Sequence, residues 1–209
     1  MRAMTKCKPK ATTEEGIIEA ARTIFAHKGF AATRTRDIAA AAGVNLALIN
    51  YYFRSKEHLY HIITLETLKR FRTIMTDIID DSTTTLEQKL EKLAANYIDL
   101  FLEQPDIPSF VMNEIGKDPS GFVSHIGPPV SFTQSTFYKQ LSAAMKEGKI
   151  QRVDPLHLLL NIAALAIFPF AIAPMFQHRM KMRRPEFDAL MLERKRLIPE
   201  WIKAMLEVE

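Results

Sequence analysis

Apolar residues recur along this chain at the three-and-four spacing of helices almost from end to end. The alternation of a half-buried strand persists nowhere. Ile17, Ala21, Ile24 and Phe25, with Lys28 in register, mark one face of a first helix. Thr12 and Glu15 stand ahead of it at the spacing of a capping box, and Gly29 is placed to end it. A second helix is predicted from about Thr33 to Ala42, with Ile38, Ala39 and Ala42 on one side, until Gly43 breaks it. Asn45 is a natural N-cap for a short third helix through Leu48, Ile49 and Tyr52. Arg54-Ser55 is the next break, with Ser55 capping a long helix that begins at Lys56. Further helices are predicted over 56–80, 84–103, 105–116, 128–148, 154–178 and 185–207. Thr84 and Glu87 have capping-box spacing, Asp154-Pro155 places a cap before a first-turn proline, and Gly148 closes the preceding helix. Gly116 to Pro129 is rich in proline and glycine and reads as a loop or a broken helix. The fold class is therefore all-α.

Composition agrees with this pattern and adds an asymmetry. Seven glycines in 209 residues are few for a protein built on tight turns. Residues 1–58 hold ten Lys and Arg against five Asp and Glu, a balance of +5, while the rest holds 18 against 19. The excess positive charge lies wholly in the first quarter, which points that segment towards a polyanion. Residues 1–11, with Arg2, Lys6, Lys8 and Lys10, read as a short flexible basic arm without the apolar stretch of a secretory signal. Cys7 is the single cysteine, so no intrachain disulfide forms. Leu158 to Phe176 is long and apolar enough to suggest a membrane span. Pro169 and Pro174 inside it, and amphipathic helices around it, favour a buried or subunit-interface helix instead.

The segment Thr33 to Phe53, TRTRDIAAAAGVNLALINYYF, has the form of a helix-turn-helix. Gly43 supplies the positive φ that the turn wants. Ala39 and Ala42 let the helices approach, and Val44 and Ile49 fill the space between them. The longer stretch GFAATRTRDIAAAAGVNLALINYYFRSKEHLY resembles the DNA-binding domain of the TetR family of transcriptional regulators. The likeness is carried by Phe25 to Phe30, Thr33, Arg36 to Ala39, Ala42-Gly43-Val44, Tyr52-Phe53 and Ser55-Lys56-Glu57. It covers roughly residues 14–62. The resemblance implies a DNA-binding domain over 12–58 and an effector-binding and dimerisation domain over 59–209. It places Thr33, Arg34 and Thr35 against phosphates, and Asn45, Leu46, Ala47, Leu48, Asn50 and Tyr51 on a recognition helix in the major groove. Lys56 would meet a further phosphate, and Tyr52 is assigned to the core. Asn50 stands where the family often has an aromatic residue, and its amide suits adenine. Leu46 and Ala47 replace polar or glycine residues and can touch thymine methyls only.

The same resemblance implies a homodimer through helices 154–178 and 185–207, and hence a pseudo-palindromic double-stranded DNA operator. It also implies a pocket for a small apolar or amphipathic effector. Tyr97, Phe101, Phe110, Met112, Phe137, Met145, Asn161, Phe168 and Met175 are the candidate lining, Asn161 being a lone amide in an apolar helix. Ten methionines and thirteen phenylalanines suit such a site. His58 and His61 share a helical face but read as solvated surface, so no metal and no cofactor is expected. No catalytic or nucleotide-binding motif is present, so no enzyme is expected. The reading is a cytoplasmic repressor released from DNA by its effector. The alternative is a helix-turn-helix regulator without a small-molecule effector, constitutive or controlled by a protein partner.

Overall fold

The computed structural model describes residues 13–127 and 132–208. The basic arm over 1–11, Cys7 and Thr12 of the first capping box lie outside the described residues. Among the described residues every regular element is helical. The chain forms two compact units, Met1–Glu66 and Thr67–Glu209.

The first unit holds α1 (Thr13–Ala32), α2 (Thr35–Ala42), α3 (Leu46–Phe53) and the opening turns of α4 (Lys56–Asp80). Its core gathers Ile17, Ala21 and Phe25 from α1, Ile38 and Ala39 from α2, and Ile49 and Phe53 from α3. Leu59 and Ile63 of α4 complete that core, so it extends past residue 58. Gly29 breaks the helical path as expected, at φ 73° and ψ 166°, but the chain resumes a helical turn to Ala32 instead of ending there. Gly43 sits at φ 66°, and a Cβ there would meet nothing within 4 Å, so only the backbone angle calls for glycine. Asn45 Oδ1 accepts the Leu48 N–H at 2.9 Å, and Ser55 Oγ accepts the His58 N–H at 3.1 Å. Arg54 joins α3 to α4 at φ 63° and ψ −46°. Ser55 N–H there donates to the Phe53 carbonyl at 2.6 Å, closing a three-residue turn of the rarer, strained hand.

The second unit is built around α5 (Leu86–Glu103), whose Leu90, Leu93, Ala94, Ile98 and Phe101 are buried. It packs most extensively on α11 (Arg184–Leu206) and next on α9 (Pro155–Ala171). Lys195 reaches Asp99 at 2.8 Å and Lys203 reaches Glu87 at 2.8 Å, tying α11 along α5. The segment 116–129 is a broken helix: α6 (Ile107–Lys117) runs through Gly116, and α7 (Pro119–Ile126) follows at once. Asp118 caps α7 by accepting the Gly121 N–H at 2.9 Å. The helix expected over 128–148 is shorter, a single turn at Phe132–Gln134 and then α8 (Thr136–Lys146).

Two expectations are corrected here. The helix expected over 154–178, with a kink from Pro169 and Pro174, is two helices, α9 and α10 (Ala173–Met180), meeting at Ile172 with a bend of 59°. Pro169 and Pro174 cause the break by removing backbone donors and crowding the preceding carbonyls. Pro169 leaves the Leu165 carbonyl without its helical donor, and Arg194 Nε of α11 donates to that oxygen at 2.8 Å. The cap of α5 is Thr85 with Gln88, not Thr84 with Glu87. Thr84 is otherwise engaged: the fully buried Lys89 donates to its carbonyl at 2.9 Å, to its hydroxyl at 2.8 Å and to the Asp81 carbonyl. Gln140 Nε2 of α8 also donates to the Thr84 carbonyl, at 2.8 Å, and Thr136 Oγ1 donates to Asp80 O at 3.0 Å. The turn after α4 is thus held by side chains from α5 and α8. Among the described residues, no single helix is long and apolar enough to cross a membrane; α9 and α10 have that length and composition only together, across their bend.

Gly43→Ala should lower stability by about 1 kcal/mol without any clash, and Arg54→Gly should raise it by about as much, both read from urea denaturation. The Thr83 hydroxyl and N–H hold the Asp81 carboxyl at about 2, below its ordinary 3.8. A depressed carboxyl stabilises the fold above its ordinary value and loses that contribution as pH falls through its folded value. Asp81→Asn should therefore flatten the part of the acid-unfolding profile between pH 4 and about 2.

Candidate nucleic-acid interface and apolar cavity

Helix α3, where the recognition helix is expected, is eight residues long and divides sharply by face. Ile49 and Phe53 are buried, at 0% and 1% exposure. Leu46, Ala47, Asn50 and Tyr51 are exposed, Tyr51 at 79%, and they share one side at helical spacing. Tyr51 stacks edge-on against Tyr52, with ring centroids 5.2 Å apart. Tyr52, expected in the core, is 38% exposed and has ring contacts with both Tyr51 and Phe53. Leu48 is half-buried, and Asn45 spends its side-chain oxygen on the helix cap, so both shape the helix end more than they offer groups outward. At the start of α2, the capping Arg34 is exposed and Thr35 half-buried. Arg36 and Arg54, absent from the predicted site, are also exposed. Their positions beside the helix-turn-helix were the signal available for them.

Two residues assigned to phosphates have work inside the unit. Thr33 is 2% exposed, and its hydroxyl donates to the Gly29 carbonyl at 2.7 Å, the carbonyl of the residue where α1 loses its helical path. Its hydroxyl is therefore not presented to a partner. Lys56 Nζ donates to the Phe30 carbonyl at 2.9 Å and to the Thr33 carbonyl at 3.0 Å, and it lies 4.1 Å from the centre of the Phe30 ring. It closes the end of α1 onto α4. Lys28 and Asp37 pair at 3.1 Å between α1 and α2. The Lys28 hydrogen bond holds the Asp37 carboxyl below its ordinary value, while Asp37 also accepts the Arg34 N–H.

The second unit holds a partly open cavity of about 410 Å³. Its walls come from α4, α5, α6, α7, α9 and the turn at Phe132, and are apolar but for Arg72, Thr76 and Tyr97. Of the nine predicted lining residues, Tyr97 and Phe101 line it. Burial pushes the Tyr97 phenol above its ordinary value, so it stays neutral. The other seven do not line it. Phe137 is packed in the core at 0% exposure, and Phe110 and Met145 are half-buried elsewhere. Met112, Phe168 and Met175 stand on the surface. Asn161 is exposed and its amide lies 3.8 Å from Met205 Sδ on α11. Arg72 went unpredicted, although it sits at helical spacing among Leu68, Met75 and Ile79, where a charge in an apolar stripe was visible.

Phe168 and Met175 belong to a different feature. Leu156, Leu160 and Phe168 are exposed at four- and eight-residue spacing along α9, with Met175 on α10, and Leu192 and Met205 on α11. Among the described residues, no group of three or more His, Cys, Asp or Glu is placed to hold a metal ion.

Residues 17–63 match the sequence profile described as "Bacterial regulatory proteins, tetR family". Over 204 residues the chain is 27% identical to the probable HTH-type transcriptional regulator YttP of Bacillus subtilis (strain 168), covering 94% of this chain and 95% of that protein. Over 78 residues it is 31% identical to the HTH-type transcriptional repressor KstR2 of Mycolicibacterium smegmatis, covering 37% and 38% of the two chains. The fold is shared with a solved structure, a putative TetR-family transcriptional regulator from Mesorhizobium loti MAFF303099. That likeness has 20% identity, covers 94% of this chain and 97% of the other, and has a TM-score of 0.57.

Tyr51→Ala should leave stability within about 0.5 kcal/mol of the parent, because the side chain is exposed, while lowering DNA affinity in fluorescence anisotropy. Lys56→Ala should cost about 1–2 kcal/mol in urea denaturation, through the loss of two charge-assisted hydrogen bonds. A Lys56→Ala protein of unchanged stability would return that residue to the phosphates.

Proposed function

We propose that the chain is a transcriptional regulator of the TetR family, which its match over residues 17–63 and its likeness to YttP support, and that it is a repressor whose hold on DNA is released by an apolar or amphipathic effector. Regulators of this family bind DNA and dimerise; they are not enzymes. The observation that carries the finer reading is the pairing, in one chain, of an exposed recognition face on α3 with a largely apolar cavity in the other unit.

In this reading α3 enters the major groove. Asn50 reads a base edge with its amide, Leu46 and Ala47 touch thymine methyls, and Tyr51 contacts the backbone or a base. Arg34, Thr35, Arg36 and Arg54 supply the attraction to phosphates. Two copies associate through the exposed apolar faces of α9, α10 and α11, which fits a pseudo-palindromic operator. The curated relative KstR2, similar over the shorter stretch, is named as a repressor, which favours repression here. The effector occupies the cavity and binds the DNA-free arrangement more tightly, so its differential affinity sets the extent of release.

Genomic fragments selected by the purified protein should share an inverted repeat, and enrichment of none at moderate salt would overturn the reading. Asn50→Ala should relax preference at one base position in each half-site, costing about 1–3 kcal/mol of discrimination. Leu160→Glu should shift the protein from dimer to monomer in sedimentation velocity and weaken operator binding with it.

A further inference from the structure

The wall that α5 gives to the cavity carries Leu93, Tyr97, Leu100 and Phe101 at helical spacing. Three of these side chains are hydrocarbon, and Tyr97 brings a hydroxyl into their midst. A phenylalanine would fill the same place without it, so the oxygen, and not the ring, is the unusual choice. Burial raises the Tyr97 phenol, and no charge or hydrogen bond offsets that rise. Among the described residues the hydroxyl makes no hydrogen bond, and the ring contacts are with Phe71 and Phe101. Tyrosine hydroxyls taken out of water ordinarily find a partner, because an unmet one forgoes the bonds that water gave it.

The phenol is also placed to meet a guest. Its oxygen is not sealed in by protein atoms, and Tyr97 lines the cavity. Neighbouring rings hold it in position. The Phe71 centroid lies 5.0 Å away with the planes at 61°, and Phe101 lies 6.0 Å away. Phe101 is itself packed on Phe170, at 5.3 Å. A donor fixed in this way loses little freedom when a ligand arrives. The other polar side chains of the wall are engaged: Thr76 donates to the Arg72 carbonyl at 2.8 Å, and Arg72 has contacts of its own within the chain.

We propose, building on the effector reading above, that the cavity takes a hydrocarbon-rich carbonyl compound whose oxygen accepts a hydrogen bond from the Tyr97 hydroxyl and whose body lies along Phe71, Phe101 and Phe122. A phenol donates more strongly than it accepts, because its ring draws on the oxygen lone pairs, so the matching group on the ligand is an acceptor. The rest of the wall is apolar apart from Arg72 and Thr76, which suits a hydrocarbon body. At about 30 Å³ per water-sized group, 410 Å³ accommodates a ligand of roughly a dozen heavy atoms.

The test is equilibrium dialysis of the full-length protein and of Tyr97→Phe against β-acetylnaphthalene and β-isopropenylnaphthalene. The two compounds have the same shape and size, and differ in carrying C=O or C=CH2. The ratio of ketone affinity to alkene affinity should fall by about fivefold from the parent to Tyr97→Phe, the worth of one hydrogen bond. Alkene binding should not weaken. Without ligand, Tyr97→Phe should melt at the parent's temperature or above it, since the hydroxyl holds nothing within the chain. An unchanged ratio overturns the proposal and leaves the effector reading standing. A Tyr97→Phe protein that melts lower, or does not fold, also overturns it, because the hydroxyl would then have work inside the fold. Binding of neither compound by the parent overturns the carbonyl proposal, and operator release by some other compound then still tests the effector reading separately.

Discussion

An eight-residue helix does not hold itself together in water, and α3 is eight residues long. Everything asked of it depends on two buried side chains, Ile49 and Phe53, that anchor it to α1, α2 and α4. The anchors decide which residues face outward, because helical spacing then turns Leu46, Ala47, Asn50 and Tyr51 to the other side. Both ends are set as well: Asn45 caps the start, and the strained turn at Arg54 forces the end. The outward face proposed to read DNA is thus a by-product of the core. Thr33 and Lys56 support the same scaffold from within by satisfying carbonyls around the α1–α2 junction.

The second unit solves a different problem. It buries α5 against α9 and α11, and yet leaves space between α4, α5, α6, α7 and α9. Close packing is the ordinary state of a protein interior, so an apolar cavity of this size forgoes contacts that a filled core would make. The surrounding restraints carry that deficit: Lys89 and Gln140 on the turn after α4, the ion pairs along α5 and α11, and the aromatic chain from Tyr97 through Phe101 to Phe170 and Phe187.

Much of this was legible in the sequence, and the boundary of legibility has a physical basis. Period and punctuation identified the helices, because apolar spacing, caps and Gly43 act locally. The cap of α5 was misplaced by one residue, since the Thr84 hydroxyl is taken by a lysine five residues on, a tertiary contact with no local sign. The phosphate role of Thr33 came from residue type and family position, and type does not tell an outward hydroxyl from an inward one. The cavity was harder still. Apolar spacing says that Phe137, Phe168 and Tyr97 each lie on a buried or buriable face. It cannot say that the first meets core, the second the exterior and the third an open space. That distinction is made by neighbours distant in sequence.

The bond from Arg194 to the Leu165 carbonyl has a consequence for how this chain can change through descent. Pro169 creates the acceptor and Arg194 answers it, though the two residues lie on different helices. Replacing the proline alone would restore the helical donor and leave the arginine redundant. Replacing the arginine alone would strand the carbonyl. The dependence therefore runs one way: the proline can be lost before the arginine, but the arginine cannot be lost before the proline without leaving a carbonyl unmet.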